Sequence, residues 1–191
     1  MAATTKSKMP AALTDRGHLT GGGKPYVASV VQAMLGWAEF TTAFYRYGGK
    51  TLKIYLAGPL FTTAERDFNA ALAALLRDRG HEVFLPQEHE QRDVTARAIF
   101  ESDVAGIEWC DVLVACMDGP DPDSGTSWEC GSVAGRKPVV LFRTDIREEA
   151  KPFGPYNLML HQAAQRVIDC KWLSVSEIAT RINDAFGGLQ Q

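Results

Sequence analysis

The stretch VLVACMDGPDPDSGTSWECG, residues 112–131, decides the fold. Its first six residues, 112–117, are apolar and have the length and composition of a buried strand. A loop dense in Gly, Pro and Asp follows, and a short helix is predicted over 127–135. A strand, a turn and a helix start in this order place the loop outside the carboxyl end of a strand, where open α/β sheets bind ligands.

Glu129 has two interpretations within this stretch. Residues 126–129 fit the S/T-x-x-E capping box, in which the glutamate only satisfies backbone N–H groups at a helix start. The second interpretation is a catalytic carboxylate, because a helix N-terminus favours the ionised form and the flanking glycines let a substrate approach the backbone. The residues alone leave both open. A calcium loop is disfavoured, since two prolines interrupt the aspartates and the regular ligand alternation is missing.

Strand and helix patterns alternate through the rest of the chain. A T-x-x-E box at 62–65 begins the helix after the first strand, that helix stops at Gly80, and Ser174 caps the last helix. This alternation predicts an α/β fold with a doubly wound sheet of five parallel strands and right-handed crossovers. The strands are predicted at 52–57, 83–85, 112–117, 138–142 and 167–169.

The first 50 residues carry a different pattern. Residues 1–24 are rich in Ala, Thr, Lys, Ser and Gly, which predicts a flexible tail. Residues 25–50 place apolar side chains at helical spacing, which predicts an amphipathic helical extension that ends at a Gly-Gly pair. The α/β domain is then expected over residues 51–191.

Composition limits the classes of function. The 191 residues are 46% apolar, enough for a sizeable core, and the net charge is 20 − 23 = −3. The chain contains no run of five Lys or Arg residues, so a nucleic-acid-binding face is not expected. No segment has the pattern of a membrane span or of a signal peptide. The four cysteines lack zinc spacing, which is typical of reduced thiols in the cytoplasm. Neither G-x-G-x-x-G nor a phosphate-binding P-loop follows the first strand, so no nucleotide cofactor is expected.

Several polar residues outside the central stretch have open interpretations. Tyr55 is by default a core tyrosine, although the Gly-Pro turn that begins at Gly58 makes a site role plausible. Asp103 falls within a helix predicted over 94–109, as a solvated acid or a site residue. His89 is expected to be a solvated loop histidine.

Two arginines follow the fourth strand, and they too have two interpretations. Arg143 and Arg147 could clamp a carboxylate or a phosphate. A surface salt bridge to Asp145 or Glu148 explains them equally well.

Four segments together resemble the nucleoside 2-deoxyribosyltransferase family: KIYLAGP at 53–59, DVAGI at 103–107, DSGTSWECG at 123–131 and NLM at 157–159. The resemblance implies a flavodoxin-like fold and a transferase that exchanges nucleobases on 2-deoxyribose in nucleotide salvage. Its partners would be 2-deoxynucleosides and free nucleobases, with no cofactor and no metal. It also implies a homo-oligomer with shared sites. A C-terminal tyrosine that serves the site in family members has no counterpart in the final Leu-Gln-Gln.

The resemblance implies roles at the matching positions. Glu129 corresponds to the nucleophile that attacks C1′, Tyr55 to the hydroxyl that orients it, and Asp103 to the acid that protonates the departing base. Asp123 corresponds to a ligand of a sugar hydroxyl, and Gln87 lies near the base. The implied substrate-binding residues are Gly58, Gln87, Asp123, Asn157 and Met159, of which the last two serve the neighbouring subunit's site.

Two alternative functions stay open. A hydrolase of 2-deoxynucleoside 5′-monophosphates would need a phosphate cradle, and Pro-Leu-Phe at 59–61 suits phosphate less well than a Gly/Ser/Arg-rich loop. A non-enzymatic nucleotide-binding module would keep the fold and use Glu129 only as a helix cap.

Overall fold

The computed structural model describes residues 51–89, 95–147, 155–187 and 189. The predicted tail (1–24) and helical extension (25–50) lie outside the described residues. One parallel sheet has the strand order β2-β1-β3-β4-β5. This is the flavodoxin-like order, and it confirms the predicted fold class. The strands are β1 Lys53–Ala57, β2 Glu82–Phe84, β3 Val112–Cys116, β4 Val139–Arg143 and β5 Arg166–Asp169.

Helices cover both faces of the sheet. Helices α1 and α5 pack on one face, where Ile54 and Leu56 of β1 point. Helices α2, α3 and α4 pack on the opposite face, where Tyr55 and Ala57 point. Because side chains alternate along a strand, neighbouring residues of β1 face opposite helix layers. The helices are α1 Thr63–Asp78, α2 Ala96–Trp109, α3 Ser124–Val133, α4 Leu158–Ala163 and α5 Val175–Phe186, and a short 3₁₀ turn spans Pro86–Glu88.

Capping boxes begin two helices, as the sequence predicts. Thr62 and Glu65 form the box at α1, where the Glu65 carboxylate accepts from the Thr62 N–H at 2.8 Å. Ser174 and Glu177 form the equivalent box at α5. These polar pairs satisfy backbone groups that a helix start would otherwise leave unpaired.

The predicted box at 126–129 is wrong. Helix α3 begins at Ser124, and its cap is Asp123, whose Oδ2 accepts from the Thr126 N–H at 2.9 Å. Aspartate is a better cap than threonine, so the helix starts three residues earlier than predicted. Glu129 therefore lies inside α3 and does not cap it.

The four cysteines are free thiols, and all are buried. Cys116 and Cys170 belong to the core on the α1/α5 side, and Cys110 and Cys130 to the core on the other side. Within the described ranges, no helix has the length and apolar character needed to cross a membrane.

His81 joins the start of β1 to helix α5. Its Nδ1 accepts from the Leu52 N–H at 3.3 Å, so its Nε2 carries the proton and donates to Asn183 Oδ1 at 2.9 Å. The ring also meets the edge of Phe186, with centroids 5.3 Å apart. Burial lowers the pKa of His81, and this outweighs the bond to Asn183.

We expect the contribution of His81 to the free energy of unfolding to fall as the pH drops below about 6.5, the ordinary pKa of histidine. The lowered pKa keeps folded His81 neutral, whereas the unfolded chain takes up the proton, so acid favours unfolding in the window between the two values. The contribution of neutral His81 to stability is fully present above pH 6.5. It is lost as the pH falls toward the lower pKa that His81 has in the folded chain. Urea unfolding at pH 8 and pH 5.5 checks this, with His81→Gln as comparison. Equal acid sensitivity of both proteins would contradict it.

Candidate active site

The hydroxyl of Tyr55 donates a hydrogen bond to Glu129 Oε1 over 2.6 Å. Tyr55 lies in β1 and is completely buried, and Glu129 lies on α3 and is half-buried. The bond therefore joins the sheet to the helix layer above it. The sequence predicts Tyr55 by default as a core residue. In the structure its ring is buried and its hydroxyl bonds to a carboxylate.

The surroundings of Glu129 raise its pKa to about 7. Burial is the main cause, the bond from Tyr55 opposes it, and the charges of Asp103 and Asp123 add to it. Burial and the neighbouring Glu129 charge also raise the pKa of Tyr55 well above its ordinary value, so the phenol stays a donor. A carboxylate that titrates near neutral pH and is held by one donor is suited to act as a nucleophile or base.

Asp103 and Asp123 lie near Tyr55 and Glu129, the first on α2 and the second at the start of α3. Asp103 lies on α2, and its charge acts on both Tyr55 and Glu129. Asp123 caps α3 with one oxygen, and its charge also acts on Glu129. Four of the sequence-predicted site residues thus meet at the carboxyl edge of the sheet, contributed by β1, α2 and the start of α3.

Asn157 and Met159 lie apart from this pair, on the surface of α4. Asn157 caps α4 by accepting from the Met159 N–H at 2.9 Å. Asn157 is exposed, and the Met159 side chain is 76% exposed. Helix α4 packs beside α3, which carries Glu129. The structure therefore presents both side chains outward, on the layer that holds the candidate nucleophile.

Gln87 has an internal role in the structure. Its Nε2 donates to the Arg66 carbonyl at 2.8 Å, and its Oε1 accepts from Asn69 Nδ2 at 3.3 Å. Asn69 also donates to the Pro59 carbonyl at 2.9 Å. The Gln87 amide thus helps to fix the loop after β1, and both of its polar atoms are engaged within the chain.

Gly58 lets the same loop approach β3. A Cβ added at this position would lie only 3.1 Å from Cys116 Cβ, closer than side chains normally pack. A larger residue would push the loop away from the edge of the sheet. The structure therefore supports Gly58 as a residue that shapes the site.

A pocket of about 570 Å³ opens beside Asp123, between the loops after β1, β3 and β4. Phe61 and Phe68 form part of its apolar wall, and Phe61 is 73% exposed. Sequence reasoning missed this wall, although an aromatic residue two positions after the Gly-Pro pair was a signal for it. The acidic residues that line the pocket are Glu65, Asp118, Asp121, Asp123 and Asp145.

The carboxylates of Asp118 and Asp145 tie the loops after β3 and β4 together. Asp118 Oδ1 accepts from the N–H groups of Thr144 and Asp145 at 2.6 and 2.9 Å, and its Oδ2 accepts from the Thr144 hydroxyl. Asp145 in return accepts from the Gly119 N–H at 3.1 Å. Among the described residues, no group of three or more His, Cys, Asp or Glu side chains is placed to hold a metal ion.

The two arginines have the structural roles that the sequence left open. Arg147 forms a salt bridge with Asp145 at 2.6 Å. Arg143 is buried and donates to the carbonyls of Met117, Gly119 and Arg147. Both guanidinium groups thus bind atoms of the loops, and the pocket keeps an excess of negative charge.

Comparisons with known proteins agree with this fold. The family model for nucleoside 2-deoxyribosyltransferase matches residues 54–164. A conserved protein from Enterococcus faecalis V583 is 27% identical, with a TM-score of 0.57, and the match covers 71% of this chain and 99% of that chain. The 2-deoxyribosyltransferase from Bacillus psychrosaccharolyticus is 28% identical, with a TM-score of 0.52 and coverages of 66% and 89%. A search of the curated proteins finds no match.

Glu129→Gln should make the protein more stable at neutral and alkaline pH. Between pH 4.5 and about 7 the folded chain keeps a proton on Glu129 that the unfolded chain releases, so the contribution of Glu129 to the stability of the wild type falls as the pH rises. The amide cannot ionise and still accepts from Tyr55. Thermal melts should show a higher midpoint for the variant above pH 7, by about 2–4 °C per kcal/mol gained, and a smaller difference near pH 4. An equal difference at both pH values would contradict the raised pKa.

Proposed function

The chain belongs to the nucleoside 2-deoxyribosyltransferase family, and from this premise we propose that it transfers 2-deoxyribose from one nucleobase to another. The observation that carries the proposal is the 2.6 Å bond from Tyr55 to the half-buried Glu129, whose pKa lies at about 7. The similarity to the Bacillus psychrosaccharolyticus 2-deoxyribosyltransferase supports it. Such a reaction belongs to nucleotide salvage in the cytoplasm.

The first step forms a covalent intermediate on Glu129. Tyr55 holds Oε1, which leaves Oε2 to attack C1′ of the deoxyribose. As the bond from C1′ to the base nitrogen breaks, its electron pair leaves with the base and positive charge builds on the sugar. The adjacent carboxylate stabilises that charge and then bonds to C1′.

The departing base needs a proton, and Asp103 is the proposed donor. It lies close enough for its charge to act on both Tyr55 and Glu129. A nucleobase leaves poorly as an anion, so protonation at its nitrogen lowers the barrier. A nitrogen of the second base then attacks C1′ from the face that the first base left, and its proton passes to Asp103. The bond from C1′ to Glu129 Oε2 breaks, and its electron pair returns to the carboxylate. The kinetics are therefore ping-pong.

Asp123 is the proposed ligand of a sugar hydroxyl. Its Oδ2 caps α3, and the residue lines the acidic pocket. A tight fit at the 2′ position would make ribonucleosides poor substrates, since a 2′-hydroxyl would clash with or capture the nucleophile.

The geometry does not favour the two alternative functions. A 5′-phosphate in the pocket would face its five carboxylates, and the one arginine among the described lining residues is bonded to Asp145. Like charges repel strongly where water is scarce. A non-enzymatic module would use Glu129 as a helix cap, but Asp123 fills that position.

Asn157 and Met159 are proposed to complete the site of a neighbouring subunit. Both are exposed in the single chain, on the helix next to α3. The proposed enzyme is therefore a homo-oligomer in which each site draws on two chains.

The wild-type protein should convert deoxyinosine and adenine to deoxyadenosine and hypoxanthine, measured by chromatography. Glu129→Ala should lower this exchange about a thousandfold or more, because the covalent path is lost. Glu177→Ala, which removes a glutamate from the α5 capping box on the opposite face, should keep it. Exchange retained by Glu129→Ala would remove Glu129 as the nucleophile. Hypoxanthine released without exchange by the wild type would indicate a hydrolase.

Mixing two inactive variants tests the shared site. Asn157→Ala should be impaired because it removes a group from the neighbour's site, and Glu129→Ala because it removes the nucleophile. When subunits of both are exchanged in mild denaturant, mixed oligomers contain sites with an intact Glu129 and an intact Asn157, so activity should reappear. Each variant exchanged with itself is the control. No recovery, despite mixed oligomers seen by native mass spectrometry, would contradict the shared site.

A further inference from the structure

We propose that Phe84 is the positioning residue that holds Tyr55 in hydrogen-bond distance of Glu129. The inference rests on the proposed roles of Tyr55 and Glu129. It adds a residue of β2 that touches neither the substrate nor the reacting carboxylate. Neither the family segments nor the charged residues of the site pointed to it.

Phe84 lies flat between two other rings. Its ring stacks on Tyr55 with centroids 5.3 Å apart and planes 11° apart. On its other side His89 stacks at 4.2 Å and 6°. Tyr55 and Phe84 are also register partners of neighbouring strands, so the backbone ladder places the two rings side by side. The three rings form one stack from the centre of the sheet to its edge.

Gly106 of α2 closes the third side of Phe84. A Cβ added to Gly106 would lie 2.7 Å from two atoms of the Phe84 ring, a distance that real side chains do not reach. The helix therefore approaches the ring as closely as a glycine backbone allows. Asp103 lies one helical turn before Gly106, so this contact also sets how close Asp103 comes to Tyr55 and Glu129.

The stack has a direct consequence for the hydroxyl of Tyr55. A change of the Tyr55 χ1 angle or a shift of its ring by about 1 Å would take its oxygen beyond hydrogen-bond distance of Glu129. Phe84 blocks movement toward the edge of the sheet, and Leu113, the register partner on β3, is buried on the other side. Tyr55 contacts Glu129 in a fixed geometry only when the residues around Tyr55 are well packed. The flat ring of Phe84 therefore has a role that an aliphatic residue does not fill.

The test compares two ways of breaking the Tyr55 contact. Tyr55→Phe keeps the ring stack and removes the hydroxyl, whereas Phe84→Leu keeps the hydroxyl and removes the stack. The readout is the titration of the Glu129 carboxyl, followed by NMR in protein labelled with ¹³C at glutamate carboxyls and assigned with Glu129→Gln. Since the Tyr55 bond lowers the pKa of Glu129, its loss should raise the titration midpoint.

Phe84→Leu should raise the Glu129 midpoint by about one pH unit, the size expected for a lost bond to a charged group. It should add little in the Tyr55→Phe background, because the same contact is already gone. Gly106→Ala, which displaces the ring and keeps it, should raise the midpoint in the same direction. In the transfer assay both variants should lower kcat more than they change KM. An unchanged midpoint in Phe84→Leu, or an equal rise in the Tyr55→Phe background, would overturn the proposal.

Phe186→Leu is the matched control. It also removes a ring that contacts a histidine, here edge-on, on the opposite face of the sheet. It should lower stability like Phe84→Leu and leave the Glu129 midpoint unchanged, and an equal rise there would overturn the proposal. The titration needs no substrate, so it tests the positioning even if base exchange fails, and failed exchange counts against the proposed function alone.

Discussion

The structure depends on keeping one carboxylate partly out of water. Burial raises the pKa of Glu129, and the single hydroxyl of Tyr55 opposes that effect. An unpaired carboxylate charge at this depth would destabilise the fold, and a fully solvated carboxylate would be a poor nucleophile. The alternation of β1 sends Tyr55 to the helix layer that holds Glu129, while its neighbours Ile54 and Leu56 fill the core on the other face. The fold and the reactivity of the site thus follow from the same register.

Much of the fold could be predicted from local sequence, because local chemistry determines it. Apolar runs and capping boxes such as Thr62 with Glu65 set the elements within a residue or two. The start of α3 shows where this fails. Asp123 and Thr126 are both acceptable caps, and only the packed loop shows that the aspartate is the one used. The sequence pattern therefore gave Glu129 a capping role that the structure removes.

Site features that depend on distant partners could not be predicted from the sequence. Gln87 resembles a base-binding residue at its position, but its amide is engaged by Arg66 and Asn69, which lie on α1. The arginine at 143 becomes a buried clamp on carbonyls because the end of β4 lies beside the end of β3. The flat contact between Phe84 and Gly106 likewise arises only when α2 is laid on the sheet. Each feature joins residues that are far apart in the chain, and neither periodicity nor spacing reports such pairs.

The tie between the loops after β3 and β4 has a consequence for protein engineering. Asp118, Asp145 and Arg143 link the two loops through bonds in both directions. A loop transplanted alone from a relative would leave buried donors or acceptors without partners, which costs more than the lost bonds themselves. Residues 117–119 and 143–147 therefore form one exchangeable cassette, and libraries that aim to change the acidic pocket should recombine them together.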